Sequence, residues 1–126
     1  SRQIAQLVAW IQQQDFYANT TVIVTGDHLS MSAEMEKELG GYSHRRVYNC
    51  FLNAAAAPAK TQERVFTAMD MFPTTLAALG IQIEGDRLGI GTNLFGTRQT
   101  LAEELGFEPY EQEISRHSRF FDSLAY

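Results

Sequence analysis

Near its start the chain places Ile4, Leu7, Val8 and Ile11 at i, i+3, i+4 and i+7, with Gln3, Gln6, Gln12, Gln13 and Gln14 largely on the opposite face. That period predicts an amphipathic helix over residues 3–14. After a break at residues 15–19 the pattern changes to Thr20-Thr21-Val22-Ile23-Val24-Thr25, β-branched throughout and without alternation. A strand covered on both faces, as in a parallel sheet, is expected to look this way. It stops at Gly26-Asp27-His28. Helix, turn, strand and polar loop in succession form half of an α/β unit.

Further along, residues 33–39 suit a short helix closed by Gly40 and Gly41. A polar stretch, Tyr42-Ser43-His44-Arg45-Arg46, leads into a second expected strand over residues 47–53. A helix is predicted over residues 70–79, with Asp70 as N-cap, Pro73 in the first turn and Gly80 as the stop. Its expected apolar stripe is Met69, Phe72, Leu76 and Leu79. The glycine-rich segment 81–96 reads as a loop with a short strand. Thr100-Leu101-Ala102-Glu103 fits a capping box for a short helix ending at Gly106. Beyond Tyr110, the placement of Ile114, Phe121 and Leu124 suggests a terminal helix.

At 126 residues, with 44% hydrophobic and 20% charged residues, the chain is ordinary for one globular domain or part of one. The net charge of −5 argues against nucleic acid as a partner, since a phosphate backbone calls for a basic face. The single cysteine, Cys50, has no partner for an internal disulfide and reads as a small hydrophobe in a strand. No apolar run approaches the ~18 residues that a membrane span needs. The chain has no initiator Met and begins inside a helical pattern, so it is expected to be part of a longer protein.

The informative spot is Thr25-Gly26-Asp27-His28, at the C-terminal end of the first strand. Ligands of open α/β sheets bind beyond such ends. A carboxylate oxygen beside an imidazole nitrogen suits Zn²⁺ or Mn²⁺. Adjacent strand residues point to opposite faces, so both reach one ion only where the strand ends and the chain turns. Gly26 would permit that turn. The competing interpretation is a plain Asp–His hydrogen bond in a surface loop.

The segment from Asn19 to Ser30, centred on Gly26-Asp27-His28-Leu29-Ser30, resembles the C-terminal metal-binding strand of the alkaline phosphatase and sulfatase superfamily. More closely, it is similar to the phosphoglycerol transferase and lipoteichoic acid synthase branch. Tyr48-Asn49-Cys50-Phe51-Leu52-Asn53, Phe66-Thr67-Ala68-Met69-Asp70-Met71-Phe72-Pro73-Thr74-Thr75-Leu76 and Arg87-Leu88-Gly89-Ile90-Gly91-Thr92-Asn93-Leu94-Phe95 continue the likeness in the family's order. The resemblance implies an α/β fold of alkaline-phosphatase type, with residues 1–126 as the C-terminal part of its catalytic domain. It implies that Asp27 and His28 hold a divalent ion, usually manganese in this branch. The family's remaining ligands are an acidic residue and a nucleophilic threonine, and neither is identified here. Thr20, Thr21 and Thr25 belong to the strand and receive no nucleophilic role.

The implied reaction transfers a glycerophosphoryl group from a phosphatidylglycerol-like lipid to a glycan or teichoic acid acceptor through a phosphoglycerol-threonine intermediate, releasing diacylglycerol. The implied setting is a bacterial cell membrane, with the catalytic domain on the outer side. The N-terminal part of the same protein is the expected structural partner, and apolar surface left uncovered would favour self-association. Other chemistries of the superfamily are a sulfatase, a phosphodiesterase or a phosphoethanolamine transferase. A non-catalytic interaction module is the alternative of a different class.

An arginine can donate two parallel hydrogen bonds to a phosphate, and the resemblance implies this role for Arg45, since the family often carries an arginine three residues before its Tyr-Asn pair; the competing reading is a solvated loop. His44 and Arg46 are weaker candidates, and His117 is expected to be exposed in a terminal helix. Asn19-Thr20-Thr21 fits a glycosylation sequon but runs directly into the strand. The glycines between 85 and 96 lack the spacing of a dinucleotide-binding loop.

Overall fold

The computed structural model describes residues 1–28, 37–38, 46–59 and 64–124. They cluster in two compact units, Ser1–Ala55 and Ala56–Tyr126. The expected helix over residues 33–39 lies outside the described residues except for positions 37 and 38, which are helical.

In the first unit, helix α1 (Arg2–Ile11) starts at Ser1, whose hydroxyl accepts from the Ile4 amide at 3.4 Å. A capping hydroxyl meets an amide that has no partner within the helix. A 3₁₀ turn, Asp15–Asn19, leads into strand β1 (Val22–Thr25). Trp10 and Phe16 meet edge to face, with ring centroids 6.4 Å apart. Strand β2 (Asn49–Leu52) pairs with β1 in antiparallel register, Val22 opposite Leu52 and Thr25 opposite Asn49. At the Val22–Leu52 end Asn53, with φ of 55°, donates through its side chain to the carbonyls of Tyr17 and Thr20 at 2.8 and 3.0 Å. The Thr21 hydroxyl donates to the Asn53 carbonyl at 3.1 Å.

Both expected strands and the first helix are present, but the direction and cover of β1 differ from expectation. Its partner among the described residues runs antiparallel, and Val22, Ile23 and Val24 are half-buried rather than enclosed. A β-branched run specifies extended backbone whatever the direction of its neighbour. Its lack of alternation therefore did not identify a parallel sheet.

The second unit is built around helix α2 (Met71–Ala78), entered through a 3₁₀ turn, Ala68–Asp70. The large apolar stripe expected of α2 is not its buried face. Phe72 is 62% exposed and Met69 and Leu79 are also exposed, whereas Pro73, Thr74, Ala77 and Ala78 are buried. Small residues let neighbouring backbone come close. Gly91 shows how close: a Cβ there would lie 2.0 Å from the Met69 carbonyl oxygen. The helix ends as expected at Gly80, with φ of 85°. The Ile81 amide donates to the Leu76 carbonyl and the Gly80 amide to Ala77, at 3.0 and 2.9 Å, which is a Schellman closure.

Asp70 corrects the sequence reading of this helix start. Its side chain does not cap α2. Thr67 is the capping residue, and Asp70 is its reciprocal partner three positions on, accepting from the Thr67 amide at 2.8 Å. The other carboxylate oxygen accepts from the Thr92 amide at 2.7 Å. Thr92 lies in the hairpin β3 (Arg87–Leu88) and β4 (Gly91–Thr92), where one short strand was expected. Thr74 donates its hydroxyl to the Asp70 carbonyl at 2.6 Å and accepts from the Leu94 amide at 3.0 Å.

The capping box at Thr100 is present and opens helix α3 (Leu101–Leu105), which closes at Gly106. Helices α4 (Phe107–Ile114) and α5 (Arg119–Leu124) follow, so the expected terminal helix is broken near Ser115. No helix among the described residues is long and apolar enough to cross a membrane.

Candidate functional site

Asp27 and His28 follow directly on β1. The Gly26 amide still donates to the Tyr48 carbonyl at 2.9 Å, continuing the ladder one residue past the strand. Gly26 does not adopt the left-handed backbone region, so the glycine supplies room rather than an unusual turn. A Cβ at this position would lie 3.2 Å from the Val47 Cβ. At the last register pair the Thr25 hydroxyl donates to the Asn49 side-chain oxygen at 2.5 Å.

The two side chains are brought together at the surface. One Asp27 oxygen accepts from the His28 amide at 2.9 Å, and the other lies 3.6 Å from His28 Nε2. Asp27 is 89% and His28 60% exposed at the side chain. Two donors bound at about 2.0–2.2 Å to one tetrahedral ion stand roughly 3.4 Å apart. The observed separation is close to that span, so the pair fits two corners of a divalent-ion site. Among the described residues, no group of three or more His, Cys, Asp or Glu side chains converges to complete one.

The other candidates are placed as follows. Arg45 and His44 lie outside the described residues, and Arg46 is exposed. Cys50 is half-buried within β2 and hydrogen bonds through its side chain to Tyr48, which with its electrostatic influence raises the Tyr48 phenol above its ordinary value. His117 is exposed, as expected, but lies between α4 and α5 rather than within a helix, 3.4 Å from an Asp122 oxygen. The hydroxyls of Thr20, Thr21 and Thr25 donate to Phe16, Asn53 and Asn49, respectively.

The second unit contains an ion pair that the sequence reading did not single out. Arg64 Nε donates to Glu103 at 2.8 Å, with side-chain exposures of 8% and 14%. The remaining Arg64 nitrogens donate to the carbonyls of Leu94, Gly96 and Arg98 and to the second Glu103 oxygen. Burial alone would raise the Glu103 carboxyl, but the Arg64 hydrogen bonds, the Thr100 and Val65 amides and the Arg64 charge together hold it below its ordinary value. A cavity of about 460 Å³ adjoins this pair, lined in part by Val65, Gln99 and Phe107. It contains none of the metal-binding candidates. Arg64 spends its donors on its own chain, which makes the pair a structural tie between residue 64 and the segment 94–103.

The chain matches the sulfatase family over residues 1–81, and it belongs to that family. The matched region includes β1, Asp27, His28, β2 and α2, and the mixed helices and strands fit an α/β fold. Enzymes of this superfamily are typically metal-dependent. No curated protein and no solved structure matches the chain.

Proposed function

We propose that this chain is the C-terminal part of the catalytic domain of a phosphoglycerol transferase of alkaline-phosphatase-like fold. The observation that carries the reading is the exposed Asp27–His28 pair beyond β1, with its 3.6 Å spacing, inside the region matched to the sulfatase family. Asp27 and His28 hold a divalent ion, Mn²⁺ in the first instance, with Zn²⁺ or Mg²⁺ as alternatives. When bound, such an ion offsets charge on phosphoryl oxygens and favours the ionised form of an attacking hydroxyl.

Asp27 supplies a hard carboxylate oxygen and His28 a neutral imidazole nitrogen, and neither acts as acid or base. Arg45 binds the phosphate of the lipid headgroup. The nucleophilic threonine and the other ligands are supplied from outside this chain, so the chain alone does not turn over. The donor is a phosphatidylglycerol-like lipid and the acceptor a glycan or teichoic acid chain. The complete protein works at the outer face of a bacterial membrane.

The test is headgroup transfer by the complete protein carrying these residues. Phosphatidylglycerol vesicles with Mn²⁺ should yield diacylglycerol, and Asp27→Ala or His28→Ala should abolish the yield and lower bound metal. An Asp27→Ala protein with normal metal content and turnover would falsify the assignment. Release from phosphatidylethanolamine instead would move the protein to a neighbouring branch of the superfamily.

A further inference from the structure

The Asp27 and His28 side chains lie at the surface, 89% and 60% exposed. What fixes the chain just before them is the end of the β1–β2 pair. There the Thr25 hydroxyl donates to Asn49 Oδ1 at 2.5 Å, and the Gly26 amide donates to the Tyr48 carbonyl at 2.9 Å. The Asn49 amide nitrogen donates to the Val47 carbonyl at 3.4 Å, two residues back on the segment leading into β2.

Asn is a poor strand former, yet it occupies the register position directly opposite Thr25. A local preference is usually broken where a site needs a particular group. An exposed cross-strand hydrogen bond contributes little to overall stability. Its effect is geometric, since it anchors the residue two positions before Asp27.

We propose that Thr25 and Asn49 are positioning residues that hold the Asp27–His28 pair in the conformation a divalent ion requires. This rests on the metal-binding reading of the pair. Neither residue touches the ion. Each acts through the backbone of residues 25–28.

The test uses the full ¹⁵N-labelled chain in two measurements. In the metal-free protein, backbone relaxation at Gly26, Asp27 and His28 reports rigidity. Added Mn²⁺ then broadens the amides next to any site it occupies, which detects even weak binding.

Thr25→Val and Asn49→Ala should each lower the order parameters at Asp27 and His28 from the rigid toward the flexible range. Each should also raise the Mn²⁺ concentration for half-broadening about tenfold, the low end for residues supporting metal ligands. Thr25→Ser, which keeps the hydroxyl, should behave as wild type, and the double variant should be no worse than either single one. Retained cross-strand contacts between Val22 and Leu52 confirm that β1 and β2 still pair.

Wild-type rigidity and broadening in Thr25→Val would overturn the proposal, as would lost rigidity with unchanged broadening. If the complete protein carrying these residues shows no Mn²⁺ broadening at Asp27 and His28, the metal-binding reading fails. The relaxation data then still decide whether Thr25 and Asn49 hold the turn.

Discussion

In the unit Ala56–Tyr126 the buried positions include Asp70, Thr74, Thr92 and Thr100; the side chains of Asp70, Thr74 and Thr100 bond to backbone some distance along the chain, and the Thr92 amide is the one held by Asp70. In the unit Ser1–Ala55 no described residue is buried, and Ile4, Leu7, Trp10 and Phe16 are all exposed. The candidate chemistry lies on the second of these, beyond a two-stranded pair of a kind that is marginal on its own. The contrast separates holding a fold from holding a reagent. Polar groups that stabilise the unit Ala56–Tyr126 are buried and satisfied, while the Asp27 and His28 side chains lie at the surface, 89% and 60% exposed.

Substitutions should follow that division, with the largest effect at Asp70. Asp70→Ala strands the buried Thr92 amide and the Thr67 amide, and should cost about 4 kcal/mol from two unsatisfied donors. Hydrogen exchange at α2 and β4 would show the loss, and unchanged protection there would break the comparison.

Arg64→Met should come next, at about 3 kcal/mol, because it leaves Glu103 without its cation in a mostly buried setting. The same pair gives a pH dependence. Folding lowers the Glu103 pKa, so its stabilisation is complete above the ordinary carboxylate range and is lost as pH falls through the lowered folded value. Denaturation midpoints measured across the acid range should show this loss, and Glu103→Gln should flatten that component.

A smaller effect is expected at Thr100→Ala, about 1–2 kcal/mol from the lost cap of α3, read from urea midpoints. Asp27→Ala should lie within about 0.5 kcal/mol of wild type, since its side chain is exposed. A large destabilisation by Asp27→Ala would mean that this carboxylate serves the fold after all, and the division between the two units would collapse.

Local sequence rules succeeded where the physics was local. The spacing of Thr100 and Glu103 specified a capping box, and Gly80 specified the helix stop. The same rule also held the information missed at Asp70. Thr67 and Asp70 stand at capping-box spacing, with Asp in place of the usual Glu, and this signal could have reassigned Asp70 from cap to partner. The adjacency of Asp27 and His28 was equally legible, because it is covalent.

The sequence by itself determined the extended character of β1 and β2, the helices opened at Ser1 and Thr100 and the stop at Gly80, and which two donors stand side by side; it did not show the break near Ser115 or the β3–β4 hairpin. It did not determine the direction of the β1–β2 pair, because β-branched residues favour extended backbone in either orientation. Nor did it reveal that α2 buries its small face, since which side of a helix is covered depends on what approaches it, here the β4 backbone at Gly91. The ties from Asp70 to Thr92, Arg64 to Glu103 and Thr25 to Asn49 join residues 22, 39 and 24 positions apart. Only the tertiary structure brings such groups within hydrogen-bonding distance, because no local preference acts over those separations.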